Sequence, residues 1–148
     1  MRFAGKALAS ACVGALLAPY LIWCWAQIAG RGLFADPAIH AGLRGHYLHA
    51  TLTAVDFAAT VVLVLPAAWV LLRLGKEKLA LRVALAVVSL GVASAALVGL
   101  PILSAGFWPT LSNILFYAAL PTATWLASHF TGSAPNNSFK PKPLRGSA

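Results

Sequence analysis

The sequence predicts an all-α integral membrane protein, a bundle of four transmembrane helices with both termini in the cytoplasm. Composition is the first reason, because 60% of the 148 residues are hydrophobic and only 9% are charged, whereas soluble domains carry about 25% charged residues. The second reason is four long apolar runs, and the third is the uneven distribution of lysine and arginine between them. These observations favour one membrane domain over residues 1–131.

The four apolar runs cover about residues 7–29, 51–73, 83–105 and 110–130. Each is long enough to cross a bilayer as a helix, since about 20 residues at 1.5 Å per residue span a hydrocarbon core of about 30 Å. Helices are favoured over strands because a helix satisfies its own backbone hydrogen bonds in lipid. The first run is longer than the about 7–15 apolar residues of a secretory signal, which predicts a retained anchor.

The lysines and arginines predict the orientation of the bundle. Nine of the eleven lie before the first run, between the second and third, or after the fourth: Arg2, Lys6, Arg73, Lys76, Lys78, Arg82, Lys140, Lys142 and Arg145. Only Arg31 and Arg44 lie in the other connections. Short cytoplasmic loops carry the excess of Lys and Arg, so both termini and the central connection are predicted inside. Because the charge is confined to short clusters between apolar runs, no nucleic-acid partner is predicted.

The longest connection, about residues 30–50, is predicted to contain a short helix. Asp36-Pro37 favours a helix start, with Asp36 as the cap and Pro37 in the first turn. An apolar stripe would then lie on the membrane surface, formed by Ile39, Leu43 and Tyr47.

Residues 132–148 are polar and proline-rich, which predicts a disordered cytoplasmic tail. Residues 136–148 read NNSFKPKPLRGSA, and this stretch resembles an ending found on otherwise unrelated small bacterial proteins. The resemblance covers these residues only, and it implies a repetitive genomic element read into the frame. It predicts a multi-pass protein of a bacterial inner (cytoplasmic) membrane.

Small residues at four-residue spacing predict where helices pack closely, because they let helix backbones approach each other in membranes. Such stripes occur on the third and fourth runs, at Gly91, Ala95 and Gly99 and at Ala119, Ala123 and Ala127. Contacts inside the bundle are the favoured interpretation, and pairing of two copies of the chain is the alternative.

Each run also contains one proline: Pro19, Pro66, Pro101 and Pro121. A proline inside a helix removes one hydrogen bond and usually kinks the helix. The segments around Pro66 and Pro121 each lead to a tryptophan, Trp69 and Trp125. A duplicated helical hairpin is therefore an alternative to chance similarity.

Asp56 is the only acidic residue within a predicted span, and carboxylates inside membranes are costly and often functional. On a helix it shares one face with four other polar residues, His46, His49, Thr53 and Thr60. Gln27 and Asn113 are predicted at comparable depth on the first and fourth spans. The candidate proton or ion site consists of Asp56, His49, His46, Thr53, Asn113 and Gln27.

Two interpretations of this polar stripe stay open. The simpler one is that Thr, Asn and Gln side chains hydrogen-bond across helices, with Asp56 held neutral. The other is a site that passes protons or binds cations, since imidazole and carboxylate groups titrate and coordinate. A bound metal is least favoured, because His46 and His49 one turn apart form a weak pattern. No cofactor is predicted.

The sequence contains no pattern typical of an enzyme. Phosphate-binding glycine loops, nucleophile elbows and paired carboxylates are missing from it, and Cys12 and Cys24 do not form a CxxC pair. The favoured function is an accessory or interaction subunit without catalytic activity. Its predicted partners are the lipid bilayer and either another membrane protein or a second copy of the chain. The alternative is a small proton- or cation-coupled transporter or channel that uses Asp56.

Overall fold

The computed structural model describes residues 2–75, 77–99 and 106–132, and these residues form helices and turns without a strand. The helices are α1 (Arg2–Gly30), α2 (Ala35–His40), α3 (Gly45–Arg73), α4 (Leu79–Val98) and α5 (Phe107–Gly132). The prediction of an all-α chain is confirmed for this part of the protein. Lys76, Pro101 and the predicted tail beyond Gly132 lie outside the described residues.

Within the described residues, three helical stretches are long and apolar enough to cross a membrane: Ala4–His40, Gly45–Arg73 and Leu79–Val98. Three of the predicted spans therefore have the length and hydropathy of transmembrane helices. The helix of the fourth predicted span, α5, has 26 residues, which is long enough. It is not among the three, because its hydropathy is lower than theirs.

The helix boundaries differ from the predicted spans most clearly in α4. The prediction covered residues 83–105, but the helix begins at Leu79 and ends at Val98. Gly99 follows with a φ of 83°, a left-handed conformation that glycine adopts easily and that ends a helix. Residues 100–105 lie outside the described ranges.

The short helix predicted in the longest connection is present as α2. It begins at Ala35, and its N-cap is Phe34 rather than the predicted Asp36. Asp36 instead lies in the first turn, where its negative charge interacts favourably with the positive end of the helix dipole.

The long helices pack as two parallel pairs that are not neighbours in sequence, α1 with α4 and α3 with α5. In the second pair, His46 lies opposite Trp108 near one end, and Arg73 lines a cleft with Thr131 near the other. We call the first end the loop end, since it carries α2, and the second the basic end. Smaller contacts join the two pairs.

The buried core lies where the two pairs meet. It is built from leucine, valine and alanine, and its fully buried members are Ala18, Leu21, Ala68, Leu71, Ala86, Leu90, Ala119, Leu120 and Ala123. The helices run without interruption through Pro19, Pro66 and Pro121. Alanine at so many core positions brings the helix backbones close together, which is how membrane helices gain packing contacts.

At the basic end, a buried arginine closes the C-terminus of α3. Arg82 is only 3% exposed, and its Nη1 donates a hydrogen bond to the carbonyl oxygen of Gly75. The Lys6 ammonium of α1 approaches the same glycine, since a Cβ built on Gly75 would lie 3.4 Å from Lys6 Nζ. Positive charge at a helix C-terminus is favourable, so both cations stabilise this end of the bundle.

Candidate functional site

Three polar side chains of α3 line the same cavity: Thr53, Asp56 and Thr60. Thr53 and Thr60 are buried and Asp56 between them is half-buried, because residues three and four apart lie on one helix face. The hydroxyl of Thr60 donates a hydrogen bond of 2.7 Å to the backbone oxygen of Asp56. The Thr60 hydroxyl therefore donates its hydrogen to the backbone of its own helix and not to the side-chain carboxylate of Asp56.

The facing helix α5 contributes a polar pair at the same level. Ser112 and Asn113 both line the cavity beside Asp56, and Ser112 Oγ lies 3.4 Å from Thr53 Oγ1. This long hydrogen bond links α3 and α5 near the loop end. Ser112 was not among the predicted site residues; its only sequence signal was its position next to Asn113.

A cavity of about 360 Å³ lies between α1, α3 and α5. Its polar wall consists of Thr53, Asp56, Thr60, Ser112 and Asn113. Its apolar wall consists of Ile22, Trp25, Phe57, Leu115 and Phe116. Three of the five apolar side chains are aromatic, so the cavity combines one carboxylate, neutral hydrogen-bonding groups and aromatic rings. The sequence did not indicate that Trp25 and Phe116 belong with Asp56.

The carboxylate of Asp56 has no hydrogen bond or ion pair with any residue in the ranges 2–75, 77–99 and 106–132. An unpaired carboxylate within a bundle of apolar helices is costly, since neither lipid nor aliphatic side chains replace its water. The side chain lines the cavity, so the cavity is where a compensating group can bind.

The two predicted histidines lie at the loop end, outside the cavity. His46 Nδ1 accepts a hydrogen bond of 3.3 Å from Trp108 Nε1, and the ring of His49 lies 6.1 Å from that of Trp108 with an interplanar angle of 23°. Both histidines are exposed. His46 lies about 15 Å from Asp56 along the helix axis at 1.5 Å per residue, which is why sharing a face does not make them one site.

The remaining predicted residues are dispersed. Gln27 is exposed on α1 and does not line the cavity. Gly91 of α4 faces α5, since a Cβ on it would lie 3.8 Å from the ring of Tyr117. Ala95 is half-buried, and Gly99 lies beyond the end of α4.

The described residues contain no group of three or more His, Cys, Asp or Glu side chains that could hold a metal ion. Cys12 is exposed and Cys24 is buried, and both are free. The chemistry available at the cavity is therefore that of one carboxylate among hydroxyl, amide and aromatic groups. Compared with protein families, curated proteins and solved structures, the chain matches none.

Proposed function

We propose that α5 is a fourth transmembrane span and that the bundle lies in a bacterial inner membrane with both termini in the cytoplasm. The parallel packing of α5 along α3 supports this, because a helix paired with a spanning helix over most of its length occupies the same membrane depth. The charges support the orientation. Lys6, Arg73, Lys78 and Arg82 belong to the basic end, and such an excess marks the cytoplasmic side.

Within this bundle, the proposed function is the passage of protons, alone or coupled to a small cation, through Asp56. The observation that carries it is the unpaired carboxylate facing a cavity. Structural polar contacts in membranes consist of donors and acceptors that satisfy each other, and Asp56 has no such partner among the described residues. Its role is therefore better explained by a proton or cation that binds and leaves.

The surroundings of Asp56 suit this role. Thr53, Ser112 and Asn113 can exchange hydrogen bonds with a water or a hydrated ion in the cavity. Towards the loop end, His46 and His49 place two exposed imidazoles near the predicted outer surface, where they can exchange hydrogen bonds with water.

Proteoliposomes containing the purified full-length chain and a trapped pH-sensitive dye test this proposal. A potassium gradient with valinomycin sets the membrane potential, and the dye reports proton entry. We expect the wild type to acidify the lumen faster than empty liposomes do, and Asp56→Asn to abolish the difference. Asp36→Asn is the matched control, because it removes a carboxylate on α2 outside the cavity, and it should retain the wild-type rate.

Equal rates for the wild type and Asp56→Asn would contradict the proposal. The accessory or interaction subunit predicted from the sequence is the other candidate. It would be favoured if the wild type carries no flux and a stoichiometric membrane-protein partner co-purifies from native membranes.

A further inference from the structure

We propose that the cavity around Asp56 binds an organic cation carrying a single positive charge and an aromatic or comparably bulky apolar group. This inference rests on the function proposed for Asp56 and names the class of substrate that its site takes.

The charge of the ligand is inferred from the charge of the residues that line the cavity. Among the residues that the structure describes, Asp56 is the only ionisable side chain that lines the cavity. An anion would meet a carboxylate with no Lys or Arg to offset it, and a neutral ligand would leave the carboxylate unpaired in a largely apolar bundle. One positive charge balances the site.

The apolar part of the ligand is inferred from the aromatic residues that line the cavity. Trp25, Phe57 and Phe116 present three aromatic side chains to the same cavity. Ring faces attract organic cations, and this attraction is strongest where water is excluded. The same rings offer apolar area to a hydrophobic substituent.

The size of the cavity distinguishes this ligand from a bare ion. A cavity of about 150 Å³ already accommodates benzene, and this one has about 360 Å³, which leaves room for a ring together with a cationic group. A dehydrated metal ion would leave most of the space unfilled, and the described residues offer it no cluster of ionisable ligands. A volume at the low end of the range for small-molecule sites, about 300–1,000 Å³, fits a compact molecule.

Equilibrium dialysis of the purified full-length chain in detergent, with radiolabelled benzyltrimethylammonium as the probe, tests the inference. This probe carries a permanent charge, so proton transfer cannot mimic its binding. We expect saturable binding that Asp56→Asn weakens at least tenfold and that Trp25→Leu or Phe116→Leu weakens several-fold. Neopentylbenzene, a neutral molecule of the same shape, should not compete, and tetramethylammonium should bind at least several-fold more weakly.

Two matched variants control for general effects on the protein. Trp23→Leu removes an exposed tryptophan of the same helix that does not line the cavity, and Asp36→Asn removes a carboxylate elsewhere. Both should bind like the wild type. Each variant is first checked for a thermal midpoint no lower than that of the wild type, and Asp56→Glu serves as a second, charge-retaining variant that should keep binding.

The outcomes separate this inference from the proposed function. The inference is overturned if the probe shows no saturable binding or if Asp56→Asn leaves its binding unchanged. It is also overturned if tetramethylammonium binds with the same affinity as the aromatic probe. If the probe fails to bind while Asp56→Asn still abolishes proton flux, the inference fails and the proposed function stands. If the probe binds through Asp56 and the rings but no flux occurs, the binding site stands and the transport role fails.

Discussion

Gly14 of α1 lies directly against the backbone of Ala86 of α4. A Cβ built on Gly14 would overlap the carbonyl oxygen of Ala86 and press on its carbonyl carbon and Cα. The two helices therefore meet here without a side chain between them, and both residues are buried. This is the closest kind of helix contact, which small residues permit in membranes.

The contact predicts that Gly14→Ala destabilises the bundle, although alanine normally favours a helix. The added methyl group meets backbone atoms, which cannot rotate away, so we expect a loss of about 2 kcal/mol in the free energy of unfolding. Unfolding in sodium dodecyl sulfate, followed by circular dichroism, measures it. Gly5→Ala is the control, since a Cβ there meets nothing within 4 Å. An unchanged Gly14→Ala midpoint would show that α1 and α4 pack differently.

The unpaired carboxylate predicts the opposite sign for Asp56→Leu. Because the Asp56 carboxylate has no hydrogen-bonded partner among the described residues, the substitution removes a costly charged group and leaves no other polar group without its partner. Stability should therefore rise, by at most about 4 kcal/mol on the membrane insertion scale. The same denaturation assay, run beside Asp56→Asn, measures the change. A lower midpoint for Asp56→Leu would support the interpretation of the stripe as structural hydrogen bonding.

Two arginines near the central connection should differ in importance. Arg82 is buried and bonded to the Gly75 carbonyl oxygen, whereas Arg73 is exposed and its guanidinium carbon lies 4.5 Å from the centre of the Trp69 ring. We expect Arg82→Ala to lower the free energy of unfolding by about 2 kcal/mol and Arg73→Ala to change it little. Similar losses from both would indicate that positive charge at this end matters more than the bond to Gly75. Thermal unfolding in detergent distinguishes the two results.

Reporter fusions test whether α5 spans the membrane. Alkaline phosphatase, active outside the cytoplasm, should be active when fused after Gly42, between α2 and α3, and inactive after Gly75. Four spans predict that a fusion at the C-terminus is inactive as well. Activity there would mean that α5 does not cross and that the bundle has three spans. Green fluorescent protein at the same positions should give the reciprocal pattern.

The parts of the fold that depend on local chemistry were predictable from the sequence. Apolar length indicated the helices that became α1, α3 and α4, and Asp36-Pro37 indicated α2. The end of α4 was missed because residues 99–105 continue the hydrophobic run, while Gly99 takes a left-handed φ. Hydropathy measures the preference for lipid and does not register the positive φ of a single glycine.

The pairing of the helices was not predictable by the same means. Lipid-facing and buried positions are both apolar, so hydrophobicity does not identify which faces meet. Gly14 is one of many small residues on its helix, and nothing adjacent to it singles out Ala86. The polar residues were more informative, since the helical spacing of Thr53, Asp56 and Thr60 correctly placed them on one face. Their aromatic neighbours come from α1 and α5 and could be found only in three dimensions.

The pairing of α1 with α4 and α3 with α5 has a consequence for biosynthesis. When only α1 and α3 have been synthesised, each lacks the helix against which it packs most extensively, and Gly14 lacks its contact with the backbone of Ala86. We therefore expect the early chain to remain incompletely packed, and more open to membrane proteases, until α4 and α5 have been made. On this basis we expect the bundle to be completed late, after all four long helices are present, rather than hairpin by hairpin. We expect a fragment containing α1 and α3 and a fragment containing α4 and α5 to be degraded quickly when made alone, and to reach higher levels when made together.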